Sequence, residues 1–198
     1  MYQQLLLLIS LCFLYLIGCA QTATVVNSEL QMATAVLAMP EEDRANATLL
    51  GYAADGTVVV MREGTNQMIG LADDPNKEGF NAAAYHEELE PFMTRGRALK
   101  AEGKTFEEIF DIREEEAKAG SLKMPEKPTT LYVLSGKEAT YDQASGELTG
   151  ANLRWVVYTP WATAESSGLP LKPQLPGGPW LMDPGTHRAH IMIFAPQQ

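Results

Sequence analysis

The helix-like segments of this chain lie together in its middle, between two runs of strand-like sequence, and that order constrains the fold class most. A parallel βαβ architecture needs strands and helices in regular alternation, and the alternation is absent. The sequence therefore predicts a single α+β domain, with a mainly antiparallel sheet and two or three helices inserted between strand runs.

Local signals fill in this plan. Ser28-Glu29-Leu30-Gln31 reads as a capping box opening a short helix, with Leu30, Ala33, Val36 and Leu37 on one face and Pro40 as its stop. Residues 49–71 read as a β-meander whose turns are Asp55-Gly56 and Gly64-Thr65-Asn66. A helix over residues 82–101 follows, kinked or split by Pro91 and ended by Gly103. Thr105 and Glu108 form a second capping box, and its helix turns Phe106, Ile109, Phe110 and Ala117 inward before Gly120. Residues 131–134, 153–158 and 190–194 carry the β-branched and aromatic make-up of strands. Residues 159–185, with six prolines and four glycines, read as a loop.

The net charge of −10 repels phosphate backbones, and the densest cationic run, residues 95–104, is interrupted by Glu102. Nucleic acid is therefore not an expected partner. The first nineteen residues hold no charged side chain and end in Leu16-Ile17-Gly18-Cys19. Their apolar core, about fifteen residues, is short for a bilayer span of roughly twenty. The stretch resembles a bacterial lipoprotein signal peptide. That resemblance implies removal of residues 1–18, lipidation of Cys19, a tether over residues 19–27 and a folded domain over 28–198. It also implies a lipid-anchored protein at the cell membrane. With Ala20 in place of the aspartate that commonly retains such proteins in the inner membrane, the same resemblance implies the periplasmic face of the outer membrane if the host is Gram-negative. Only Cys12 and Cys19 are present, so the mature domain would have no free thiol, disulfide or thiolate metal site.

Two clusters could carry acid–base or metal chemistry. His187 and His190 form a His-x-x-His pair, which can share an ion only where His187 stays in a loop ahead of a strand. His190, inside an apolar run, is expected to be the more buried of the two. His86 and Glu90 lie four residues apart and would share a helix face, although Glu90 stands where a zincin has its second histidine. No Gly-x-Ser-x-Gly elbow, P-loop or dinucleotide fingerprint is present.

The remaining candidate is aromatic. Trp155, Trp161 and Trp180 fall within 26 residues, together with Tyr158 and close to the histidine pair. Long Pro/Gly loops in compact domains are commonly functional, and rigid rings with a few polar groups suit a binding pocket. Trp161, Trp180, His187 and His190 are the expected ligand-binding residues, with Trp155 in the core and Trp180 presented to the ligand. Residues 62–66, 85–93 and 179–193 are similar to segments of exported bacterial proteins that carry no assigned activity. The expectation is an envelope lipoprotein without catalysis or cofactor, binding a small ligand or a partner protein through its aromatic C-terminal loop. The alternative is a metal-dependent hydrolase in which His86, Glu90, His187 and His190 hold a divalent ion.

Overall fold

A computed structural model describes residue 25 and residues 27–195. The expected signal segment and Cys19, the expected lipidation site, lie outside the described residues. Eight strands form one sheet: β1 (Thr48–Tyr52), β2 (Val58–Arg62), β3 (Met68–Leu71), β4 (Phe80–His86), β5 (Thr129–Gly136), β8 (Asn152–Tyr158), β9 (Trp180–Met182) and β10 (His190–Phe194). Their order is β2-β1-β3-β4-β5-β8-β10-β9, and every pairing is antiparallel except that of β1 with β3. A small hairpin, β6 (Thr140–Asp142) with β7 (Glu147–Thr149), projects between β5 and β8. The α+β class is as the sequence indicates.

The parallel pair corrects the expected meander. Gly64-Thr65-Asn66 is not a hairpin turn; it carries the chain around the start of β1 to its other side. The N–H groups of Thr65 and Asn66 both donate to the Asn46 carbonyl, at 2.7 and 3.1 Å, and Gly64 N–H donates to Thr48 Oγ1. A Cβ at Gly64 would stand 2.2 Å from the Thr48 nitrogen, so only glycine lets the two backbones cross there.

Helix α1 (Ser28–Ala35) covers one face of β1, β3 and β4. It approaches through small residues: Ala35, Ala38, Ala84 and Gly70 let backbone pack close to backbone. The Ser28–Gln31 capping box does not form. Asn27, at φ 48, is the N-cap, and Gln31 is buried instead, donating to the Tyr52 carbonyl at 2.9 Å and accepting from Tyr52 N–H at 2.6 Å. Burial of Gln31, Thr34 and Ala35 also replaces the apolar stripe expected from Leu30 and Ala33. A one-turn helix, α2 (Glu41–Arg44), follows Pro40.

The expected helix over residues 82–101 is divided. Its first part is β4, a central strand, although Ala82, Ala83 and Ala84 favour helix; partners on both sides and small residues beneath α1 override propensity. A short 3₁₀ turn precedes α3 (Glu90–Ala101), so Pro91 lies in the first helical turn, where its missing N–H is tolerated, and kinks nothing. Helix α4 (Phe106–Lys118) has the expected Thr105–Glu108 capping box. Its inward face differs: Phe106 is 61% exposed and Arg113 is the buried residue. The main core lies between α3 and the opposite sheet face, where Leu89 and Phe92 pack among Leu50, Ile69, Tyr85, Leu131, Val156 and Tyr158.

Candidate binding groove

Residues 159–185 are more ordered than their composition indicates. They hold a one-turn helix, α5 (Ala164–Ser167), capped by the Thr163 side chain, and the strand β9. The two tryptophans expected to share one pocket are held apart. Trp180 belongs to β9; its ring stacks on Phe194 at 5.6 Å and 21°, flooring a cavity of about 440 Å³ walled by Pro173 and Pro176. Trp161 lines a different groove, of about 580 Å³, between residues 124–128 and 159–166. Trp155 is not core: at 37% exposed, it sits on the sheet face that α1 leaves open.

The Trp161 groove is built from rigid parts. Pro125, Pro128 and Pro160 wall it beside the indole, and Glu126, Lys127 and Ser166 supply polar groups. One wall is fixed where the Thr129 hydroxyl donates to the Lys127 carbonyl at 2.8 Å. A volume of this size and a proline-aromatic lining match those of small-molecule and peptide sites.

Trp161 itself has φ 67, a left-handed conformation that places Cβ against the following carbonyl. A bulky side chain there carries roughly 1–3 kcal/mol of strain, which persists only where surrounding structure imposes it. Here the imposing contacts are backbone pairs with the turn ahead of β10: Trp161 N–H donates to the Thr186 carbonyl at 2.8 Å, and Gly185 N–H donates to the Ala162 carbonyl at 2.7 Å.

The histidines hold that turn rather than face the groove. His187 is fully buried, more so than His190, which reverses the expected order. Its N–H donates to Glu114 Oε2 on α4 at 2.8 Å, and its Nδ1 lies 2.5 Å from the same oxygen. The ring edge meets Phe110 at 5.0 Å. His190 Nδ1 bonds the Arg188 carbonyl at 2.7 Å, and its ring lies 5.4 Å from that of Tyr158. Burial pushes both imidazole pKa values down, against the opposing pull of Glu114 and of the Arg188 carbonyl. Both rings are buried, and neither lines the Trp161 groove.

His86 and Glu90 do not share a helix face. His86 ends β4 and its Nδ1 accepts from Glu88 N–H at 3.2 Å. Glu90 opens α3 and binds the Tyr85 hydroxyl at 2.6 Å and Arg97 at 2.5 Å. Among the described residues, no group of three or more His, Cys, Asp or Glu converges as a metal site. Sequence reasoning missed residues 124–128 as the second wall, and missed Glu114. Pro125 and Pro128 were visible as rigid loop residues, but nothing local pairs them with Trp161. No family model, curated protein or solved structure matches the chain.

Proposed function

We propose that this protein is a lipid-anchored envelope protein that binds a small ligand or an extended peptide in the Trp161 groove. The supporting observation is Trp161 itself. A strained, 41% exposed tryptophan is retained where glycine would sit without strain. Strain of this kind collects at binding sites, where a fixed ring direction serves the ligand. An indole face among prolines suits flat, weakly polar partners: a sugar ring, a prolyl ring or an apolar side chain. The charge-free stretch ending at Cys19 supports the anchor, and a short tether would hold the groove within roughly 30 Å of the bilayer.

Hydrogen exchange on the detergent-solubilised full chain, with a panel of short peptides and monosaccharides, tests the groove. A binding ligand slows exchange in residues 124–128 and 159–166, and Trp161→Gly abolishes the effect. A panel that leaves both segments unchanged removes the reading. Cys19→Ala tests the anchor: the variant should accumulate unprocessed or soluble, and normal cleavage with membrane attachment would contradict it.

A further inference from the structure

A second cavity lies between α1 and the β6–β7 hairpin and shares no residue with the Trp161 groove. Its volume is about 260 Å³, and Leu30 and Thr34 of α1, Phe80 of β4 and Tyr141 of β6 line it together with Asp73. Sites for drug-sized ligands span roughly 300–1,000 Å³, so this one suits a body of one ring or a short chain. Among the described residues, Asp73 is the one Asp, Glu, Lys, Arg or His in that lining.

Asp73 and the adjacent Asp74 differ in their partners. Asp74 binds Lys77 and accepts from the Asn76 N–H at 3.1 Å. Partial burial pushes its carboxyl up, but those bonds outweigh it and hold it below the usual carboxylate range. Asp73 accepts from the Asn81 N–H at 2.8 Å, and no cation among the described residues forms an ion pair with it. Burial prevails there and pushes the carboxyl up, against the pull of the Asn81 and Asp74 N–H groups. An asparagine would serve the Asn81 N–H equally well. A half-buried carboxylate without a cation costs stability, and a cationic ligand would offset that cost.

The hairpin is seated over the cavity by backbone contact. Gly79, at φ +77, lines the cavity, and a Cβ there would stand 3.0 Å from the Gly136 carbonyl oxygen and 3.1 Å from Lys137 Cα, at the base of the hairpin. Strands β6 and β7 pair with each other outside the main sheet, so the hairpin that carries Tyr141 can shift around a ligand without breaking that sheet's ladders. Phe80 and Tyr141 add rings, whose faces attract ammonium groups and apolar bodies alike. The positive end of α1 would favour an anion, but Glu29 in its first turn offsets it.

We propose that this cavity binds a small organic amine, with its ammonium on the Asp73 carboxylate and its apolar body against Phe80 and Tyr141. The net charge of −10 favours the approach of a cation.

Calorimetry and hydrogen exchange on the full chain in non-ionic detergent test this with phenethylamine, phenethyl alcohol and phenylacetate, which share a ring and differ in charge. The amine should bind at least about tenfold more tightly than the alcohol, and it should slow exchange in residues 27–34 and 139–142. That comparison needs no variant. Asp73→Asn, which keeps an acceptor for the Asn81 N–H, should remove the preference for the amine at unchanged or higher stability. Tyr141→Ala should weaken amine and alcohol alike. No binding of the amine, equal affinity for amine and alcohol, or an Asp73→Asn variant that keeps the preference overturns the proposal. Tighter binding of phenylacetate also overturns it, since the start of α1 rather than Asp73 would then select the ligand.

Discussion

His187 meets Glu114 through two bonds to one oxygen: its N–H donates to Oε2 at 2.8 Å and its Nδ1 lies 2.5 Å from it. Burial disfavours the charged imidazole, so at neutral pH a neutral ring donates its Nδ1–H to an ionised carboxylate. Partial burial pushes the Glu114 pKa up, but hydrogen bonds from Lys118 and His187 outweigh it and hold the value at about 2. The pair ties α4 to the turn whose Thr186 carbonyl holds Trp161. Glu114→Ala removes both bonds and leaves the buried His187 N–H and Nδ1–H without their acceptor. It should lower stability by about 2–4 kcal/mol and alter the groove-side tryptophan fluorescence. Denaturant melts and emission spectra check this; a melt within error of the parent would contradict it.

The same groups set an acid limit. His187 and His190 have folded pKa values below the ordinary histidine value, so the unfolded chain takes up protons first as pH falls. Stability should therefore be flat above about pH 7 and begin to fall below roughly pH 6.5. The depressed Glu114 adds a second loss, beginning near its unfolded value of 4.5 and complete near pH 2. Glu114→Gln should be less stable at neutral pH and show a shallower loss across this lower window. Equal slopes in parent and variant between pH 5 and pH 2, measured by urea unfolding, would remove Glu114 from the account.

Gly70 is the contact through which α1 reaches the sheet. A Cβ there would lie 2.3 Å from the Ala35 carbonyl oxygen, which is backbone and cannot step aside. Gly70→Ala should cost more than about 3 kcal/mol by lifting α1 from β3, at or beyond the usual range for overpacking. Gly56→Ala meets nothing within 4 Å and should cost only about 1 kcal/mol, from its φ of +83°. Comparable losses in the two variants would show that α1 does not depend on this approach.

Trp155 does not take the core role its local sequence indicates, whereas Trp180 lines the cavity beside Pro173 and Pro176. Trp155, half-open on the bare face, should lose only about 1–2 kcal/mol on change to alanine. Trp180 pairs across β10 opposite Met192 and stacks on Phe194, so Trp180→Ala should cost about 2–3 kcal/mol and free the sheet edge. A larger loss for Trp155 would restore it to the core.

The fold class, the Thr105 cap and the strands β5, β8 and β10 were legible because each depends on neighbours in sequence. The parallel β1–β3 pair was not, since Gly64 reads the same in a hairpin and in a backbone crossing. Residues 82–86 looked helical because alanine propensity is local, while the reason for a strand is the close pass of α1. The candidate site was legible in part. Trp161 and its proline neighbours drew attention by composition, but its opposite wall is 33–37 residues away, and the acid that fixes its supporting turn is 73 residues from His187. Helical spacing placed His86 with Glu90; the strand end between them separates the two.

The central claim is that Trp161 is held under strain for the sake of a ligand. It is tested most directly by unfolding and ligand-protection measurements on the parent, Trp161→Ala and Trp161→Gly. The account predicts that Trp161→Gly is the more stable variant by about 1 kcal/mol and matches or exceeds the parent, while both variants lose protection of residues 124–128. A Trp161→Gly variant destabilised by more than about 2 kcal/mol that still binds would show the ring to be structural, and the groove reading would be wrong.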